Sequence, residues 1–222
     1  MNWEKSKTLT TLKKDFLLDF FSINNDFFLT GGSALSIFYF DHRYSYDLDL
    51  FSEKSKDLYL VNKQVTHVAD KIGAKVEKVS TSPLFCRYAL SRDGQTEIVD
   101  FVLEKVPPVF NHKNTYGNIV VDTLEEIGIN KICALVGRSE IKDIVDLYFI
   151  ARSGFSVTEN IENARKKDGG VDPSVLSFLL DQIPLDTVEC QFVADFDEAS
   201  FRDFVSKLKN DLADIAFPTG NV

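Results

Sequence analysis

The chain has 222 residues, a formal net charge of -9 and a pI near 4.9. Hydrophobic residues make up 44% and charged residues 27%, a globular, water-compatible balance with length for one large domain or two small ones around a sizeable core. The acidity excludes a binder of phosphate backbones that works by bulk charge, and no apolar run approaches membrane-spanning length. Three well-separated cysteines, Cys86, Cys133 and Cys190, exclude a disulfide framework and a zinc spacing. The first residues, MNWEKSKTLTTLKKDF, hold no continuous apolar stretch of the secretory kind, so a reducing cytoplasm is the expected compartment.

From about Trp3 to Ile23, Leu9, Leu12, Phe16, Leu17, Phe20 and Phe21 recur at helical spacing, and Asn24-Asn25-Asp26 stops the pattern. Phe27 to Thr30 reads as a short strand ending at Gly31-Gly32. Ser33 to Phe40 reads as a short helix with Ser33 as its cap, and Asp41 to Ser45 as a polar loop. Tyr46 to Phe51 alternates, with Tyr46, Leu48 and Leu50 on one face and Asp47, Asp49 and Phe51 on the other. Lys56 to Ile72 reads as a helix burying Leu60, Val61, Val65, Val68 and Ile72. Three strands follow, at 75–80, 84–91 and 96–103, the last two joined by the hairpin signal Arg92-Asp93-Gly94.

Pro107-Pro108 breaks the chain, and 111–118 reads as an exposed polar loop. Thr123 with Glu126 fits a capping box for a helix to about Val136. Further helices are expected at 141–151, 158–167, 173–182 and 197–215, with Phe178, Leu179, Leu180, Phe201, Phe204 and Val205 as core. The expected fold class is therefore α+β: a mixed sheet flanked by helices over residues 1–110, then a helical region over 111–222.

Asp47 and Asp49 sit at i and i+2, so a strand aims both to one side. Taken alone, Asp-Leu-Asp-Leu reads as a solvent-facing edge strand. The upstream Thr30-Gly31-Gly32-Ser33 changes that balance. Glycine lets a backbone approach a ligand closely, and a helix N-terminus offers unpaired N–H groups to a phosphate. Two neighbouring carboxylates repel unless a cation holds them, and Mg²⁺ takes one or two carboxylates while keeping positions for water and phosphate oxygens. Asp100, inside the apolar run Ile98-Val99-Asp100-Phe101-Val102, also needs a partner. A shared metal is one candidate, and a lysine or arginine at a sheet edge is another. His42, His67 and His112 form no nucleophilic arrangement.

Gly32-Ser33 followed, after a short gap, by Asp47-Leu48-Asp49-Leu50 resembles the signature of the DNA polymerase β-like nucleotidyltransferases. Downstream, Lys131, Leu135 and Arg138 share one side of a helix, and Asp143 and Asp146 are neighbours on the next. On charge alone this is a helical hairpin with exposed ion pairs of little worth. Lys-x-x-Ala-Leu-x-x-Arg followed by Lys-Asp-x-x-Asp-Leu-Tyr, together with Gly-Gly-Ser-Ala-Leu at 31–35, resembles the AbiEii/AbiGii toxin family over about Phe28 to Phe149.

That resemblance implies a Mg²⁺-dependent transfer of a nucleotide from a nucleoside triphosphate to an acceptor hydroxyl, RNA such as transfer RNA among the acceptors, and an antitoxin partner. It implies Mg²⁺ on Asp47 and Asp49, with Asp100 as a further ligand, and triphosphate contacts from Gly31, Gly32, Ser33 and Arg138. It also implies Lys131 near the phosphates and Asp146, or Asp143 in its stead, holding the lysine or the acceptor. Nucleotidylation of a small antibiotic-type molecule and a non-catalytic nucleotide- or partner-binding domain are the alternatives.

Overall fold

A computed structural model describes residues 2–54 and 58–218. The chain divides into two compact units, one of Met1–Pro107 with Asn111–Thr123 and the other of Pro108–Phe110 with Leu124–Val222. The class is α+β, as the sequence predicts.

The first unit begins with a 3₁₀ turn at Trp3–Lys5, followed by α1 (Thr11–Ile23). The Thr10 hydroxyl accepts the Lys13 amide and starts α1, where the sequence alone had one helix from Trp3. Next come β1 (Phe28–Thr30), α2 (Gly31–Ala34), which widens into π-type turns over Leu35–Phe40, and β2 (Asp47–Ser52). They are followed by α3 (Tyr59–Lys71), β3 (Lys75–Ser82), β4 (Phe85–Arg92) and β5 (Gln95–Leu103). Two short strands, β6 (Asn114–Tyr116) and β7 (Ile119–Val121), close the unit.

The sheet runs in the order β3-β4-β5-β2-β1-β7-β6, so β2 lies inside it, parallel to β5 and antiparallel to β1. The buried face carries Leu48, Leu50, Val99 and Phe101. Phe101 is the hub of an aromatic cluster, with ring centroids 5.2 Å from Phe20, 5.3 Å from Phe27 and 5.8 Å from Tyr88. Through Phe20 this cluster fastens α1 to the sheet. The opposite sides of β2 and β5 carry Asp47, Asp49 and Asp100.

The second unit holds α4 (Leu124–Gly137), α5 (Ile141–Arg152), α6 (Ile161–Lys167), α7 (Pro173–Gln182) and α8 (Glu198–Ala216). Asp172 caps α7 and Asp197 caps α8, each by accepting a serine amide. Tyr148 of α5 packs edge-on against Phe201 of α8 at 5.6 Å.

Several expectations change. Residues 114–121 form a hairpin that takes in most of the loop expected at 111–118, because three-residue strands are too short for an alternation to be read. Leu60 and Phe178 are 62% and 64% exposed instead of buried, and Tyr46, on the Leu48 and Leu50 side of the alternation, is 61% exposed. Tyr46 precedes the strand, and Leu60 and Phe178 lie off the buried stripes of their helices. Cys133 is half-buried, while Cys86 and Cys190 are buried. The expected helix start at Lys56 lies outside the described residues. Among those described, no helix is long and apolar enough to cross a membrane.

Phe101→Ala should lower unfolding free energy by about 3–5 kcal/mol, as large-to-small changes in packed cores do. Urea denaturation measures this, and a loss below about 1 kcal/mol would remove Phe101 from the centre of the core.

Candidate active site

Strand register builds the site. Asp49 lies opposite Asp100 across the parallel β2–β5 pair and opposite Thr30 across the β1–β2 pair. Oxygens from Asp47, Asp49 and Asp100 all fall within 4.8 Å of one another. Asp47 and Asp49 are half-buried and Asp100 is 4% exposed. Three hard oxygen donors on one sheet face form a donor set that suits Mg²⁺.

Gly31 follows β1 at φ +66, in the left-handed region, and a Cβ built there would lie 2.5 Å from Asp49 Oδ2. Both observations require glycine at this position. A Cβ on Gly32 would meet the Arg43 guanidinium and the Ser45 hydroxyl at 2.9 Å. Helix α2 starts at Gly31 itself, with Thr30 in the cap position. Ser33 is therefore inside the helix, not its cap. Its side chain is buried, and its hydroxyl donates to the Asp47 carbonyl and lies 3.3 Å from Ser45 Oγ. The glycine turn and the aspartate strand are thus stitched together through Ser33.

The loop before β2 is held from below. Lys13 Nζ donates to the Ser45 carbonyl at 2.6 Å and pairs with Glu97 at 3.3 Å, where Thr10 also donates at 2.7 Å. Lys13 and Glu97 are 4% and 7% exposed. Ser36 Oγ donates to the Arg43 carbonyl.

The partner that Asp100 requires is Arg87 on β4. Arg87 Nε and Nη2 donate to the two Asp100 oxygens at 2.8 and 2.6 Å, a bidentate pair, and Nη2 lies 3.7 Å from Asp47 Oδ2. The hydrogen bonds that the guanidinium donates to Asp100 raise its pKa against the lowering effect of burial, and the charges of Asp100, Asp47 and Asp49 add to it. The sequence leaves a shared metal and a lysine or arginine at a sheet edge open as partners; the partner is an arginine, Arg87, which the sequence reading did not name, and β5 is interior. The signal was present: counting outward from the Asp93-Gly94 turn pairs Arg92 with Gln95 and then Arg87 with Asp100.

The second unit contains its own ionic cluster. Lys131 Nζ lies 2.7 Å from Asp143 Oδ1 and 2.6 Å from Asp146 Oδ2. Arg138 donates to both Asp143 oxygens at 2.7 Å. Asp143 and Asp146 are fully buried and Lys131 is 5% exposed, so the expectation of exposed pairs fails. The two helices face each other across these residues instead of presenting them to water. Burial alone would push the Asp143 carboxyl up, but the hydrogen bonds and charges of Arg138 and Lys131 outweigh it and hold it below the usual range.

A model of the family described as "Nucleotidyl transferase AbiEii toxin, Type IV TA system" matches residues 15–219. The chain belongs to the AbiEii nucleotidyltransferase toxin family. The match extends through the C-terminal helices, which carried no recognisable motif. An uncharacterized protein, aq_aa25, of Aquifex aeolicus (strain VF5) is 32% identical over 158 residues, 69% of this chain and 72% of the relative. The fold resembles the crystal structure of a proposed nucleotidyltransferase from H. pylori, with a TM-score of 0.61 and 17% identity, over 100% of this chain and 97% of that one. It also resembles JHP933 from Helicobacter pylori, with a TM-score of 0.60 and 19% identity, over 92% and 90%. The family and fold make the chain a transferase of the nucleotidyl class.

Two substitutions check these local arguments. Gly31→Ala should destabilise by about 1 kcal/mol or more and displace Asp49, weakening Mn²⁺ binding; unchanged stability and binding would remove the steric requirement. Asp143→Asn should lose about 3 kcal/mol or more at neutral pH, because a buried cation loses a partner. Asp143 has a depressed folded pKa, so its contribution is present above the unfolded value of 3.8 and is lost as pH falls below it. Denaturation midpoints of wild type and Asp143→Asn should therefore converge on acidification; a constant gap would dissociate the effect from that ion pair.

Proposed function

We propose that the protein is a divalent-metal-dependent nucleotidyltransferase that moves a nucleotide from a nucleoside triphosphate to an acceptor hydroxyl, with RNA such as transfer RNA as the leading acceptor class. The observation that carries this reading is the convergence of Asp47, Asp49 and Asp100 against the Gly31 turn. Asp47 and Asp49 would hold the ion, with Mg²⁺ favoured by the all-oxygen donor set. A bound ion would supply positive charge against the triphosphate and the departing pyrophosphate. In the transfer, the acceptor oxygen bonds to the α-phosphorus, the bond to the bridging oxygen breaks, and pyrophosphate leaves while the hydroxyl proton is lost.

The chain's own part is positioning. The Gly31-Gly32 turn lets the backbone approach phosphates, and the Ser33 bond to the Asp47 carbonyl keeps the turn in register with the aspartates. Ser33 thus acts in this reading by bracing the site. Within the second unit the cations Lys131 and Arg138 are both held by carboxylates, and Asp146 orients Lys131. Asp143, which bonds both cations, has a structural role.

The net charge of -9 is the observation behind a second reading, a cationic small molecule as acceptor. An antitoxin partner follows from the family's toxin–antitoxin description.

The test measures binding of each nucleoside triphosphate with and without Mg²⁺, and label transfer to transfer RNA or to an aminoglycoside. Wild type should bind and transfer only with metal. Asp47→Asn and Asp49→Asn should each lose transfer by about a hundredfold or more, with folding near normal. Retained transfer in either variant would reject the metal role. Metal-dependent binding with no transfer to any acceptor would leave a nucleotide-binding module.

A further inference from the structure

A single guanidinium stands at the edge of the carboxylate cluster. Arg87 closes on both oxygens of Asp100 at 2.8 and 2.6 Å, and its Nη2 also faces Asp47 Oδ2 at 3.7 Å. These are the carboxylates whose oxygens, with those of Asp49, fall within 4.8 Å of one another. A nitrogen that sits 2.6 Å from a carboxylate oxygen takes the lone-pair region through which that oxygen would meet a metal. The two occupants are both cations, so they exclude each other by charge as well as by space.

Arg87 also has a way out. Its side chain is 39% exposed, whereas the Asp100 carboxylate is buried within the interior strand β5. The arginine can exchange Asp100 for water, but the aspartate has no such freedom. The Phe85 ring, 5.8 Å from the guanidinium, lies on the same strand two residues away.

We propose that Arg87 is a built-in competitor of the divalent ion, occupying the Asp100 end of the cluster so that an ion can take Asp100 as a ligand only by displacing it. The inference rests on the metal-binding reading above. Arg87 acts through Asp100 and is a positioning residue: it balances the carboxylates in the metal-free protein and sets how tightly, and with how many ligands, the ion is held.

The experiment is a titration with Mn²⁺, read from the free-ion electron paramagnetic resonance signal. It uses wild type, Arg87→Ala, Arg87→Gln, Asp47→Asn and the double variant Arg87→Ala/Asp100→Asn, with folding followed by circular dichroism. Arg87→Ala should bind Mn²⁺ at least about fivefold more tightly than wild type, the scale of one unit charge on another about 4 Å away in a water-like dielectric and so a floor for a divalent ion. Arg87→Gln should gain similarly and carries the test if the alanine variant does not fold. Adding Asp100→Asn should cancel the gain, which a merely structural arginine would not produce. Equal or weaker binding in the folded Arg87 variants overturns the proposal, as does a gain that survives Asp100→Asn. If wild type binds Mn²⁺, Asp47→Asn does not, and the Arg87 variants match wild type, only this inference falls. If no protein in the set binds Mn²⁺, the metal reading falls with it.

Discussion

Three carboxylates within 4.8 Å of one another repel, and much of the first unit can be read as the means of holding them there. The parallel register of β2 and β5 sets Asp49 against Asp100, and hydrogen-bonded ladders on both sides make that register stiff. The aromatic cluster at Phe101 secures the far face of the same strand that carries Asp100. Burying a carboxylate without a partner is strongly unfavourable, and the β4–β5 hairpin meets that constraint by delivering Arg87. The carboxylate cluster is thus partly balanced by a cation of the protein itself.

The approach to the carboxylates is equally determined. Gly31 brings the end of β1 so close to Asp49 that a methyl group would not fit, and its positive φ turns the chain directly into α2. The loop returning to Asp47 is tied from beneath by Lys13, whose buried pairing with Glu97 links α1, β5 and the loop. The face that holds the charges and the face that holds the core are therefore coupled through short polar bonds. Such coupling is what a reaction dominated by electrostatic positioning needs, because donors fixed before the reaction need no reorganisation during it.

The second unit uses its charges differently. Lys131 lies between Asp143 and Asp146 with almost no exposure, and Arg138 closes on Asp143 from the edge. Buried charges of this kind are retained only when each is paired, so the cluster fixes the helical pair α4–α5 whatever else it does. Asp143 carries the larger share of that task, since it bonds both cations. Asp146 has a narrower geometric duty toward Lys131, which fits the division of roles proposed for the two.

Much of this was legible along the chain. The apolar spacing of α1, the Asp93-Gly94 turn and the alternation of β2 are local signals, and each produced its element near the expected place. The motif residues at 31–33, 47, 49, 131, 138, 143 and 146 were visible because their chemistry is unusual for their surroundings. Where β6 and β7 form, why Phe178 faces out and that Asp143 and Asp146 are buried were not visible, since exposure is decided by which helix or strand arrives opposite. The sequence by itself determined the α+β class, the family and the presence of paired carboxylates beside a glycine turn. That Asp100 joins them and pairs with Arg87 came from the tertiary structure, because strand order and register, which no single strand encodes, set which side chains across a sheet come within reach.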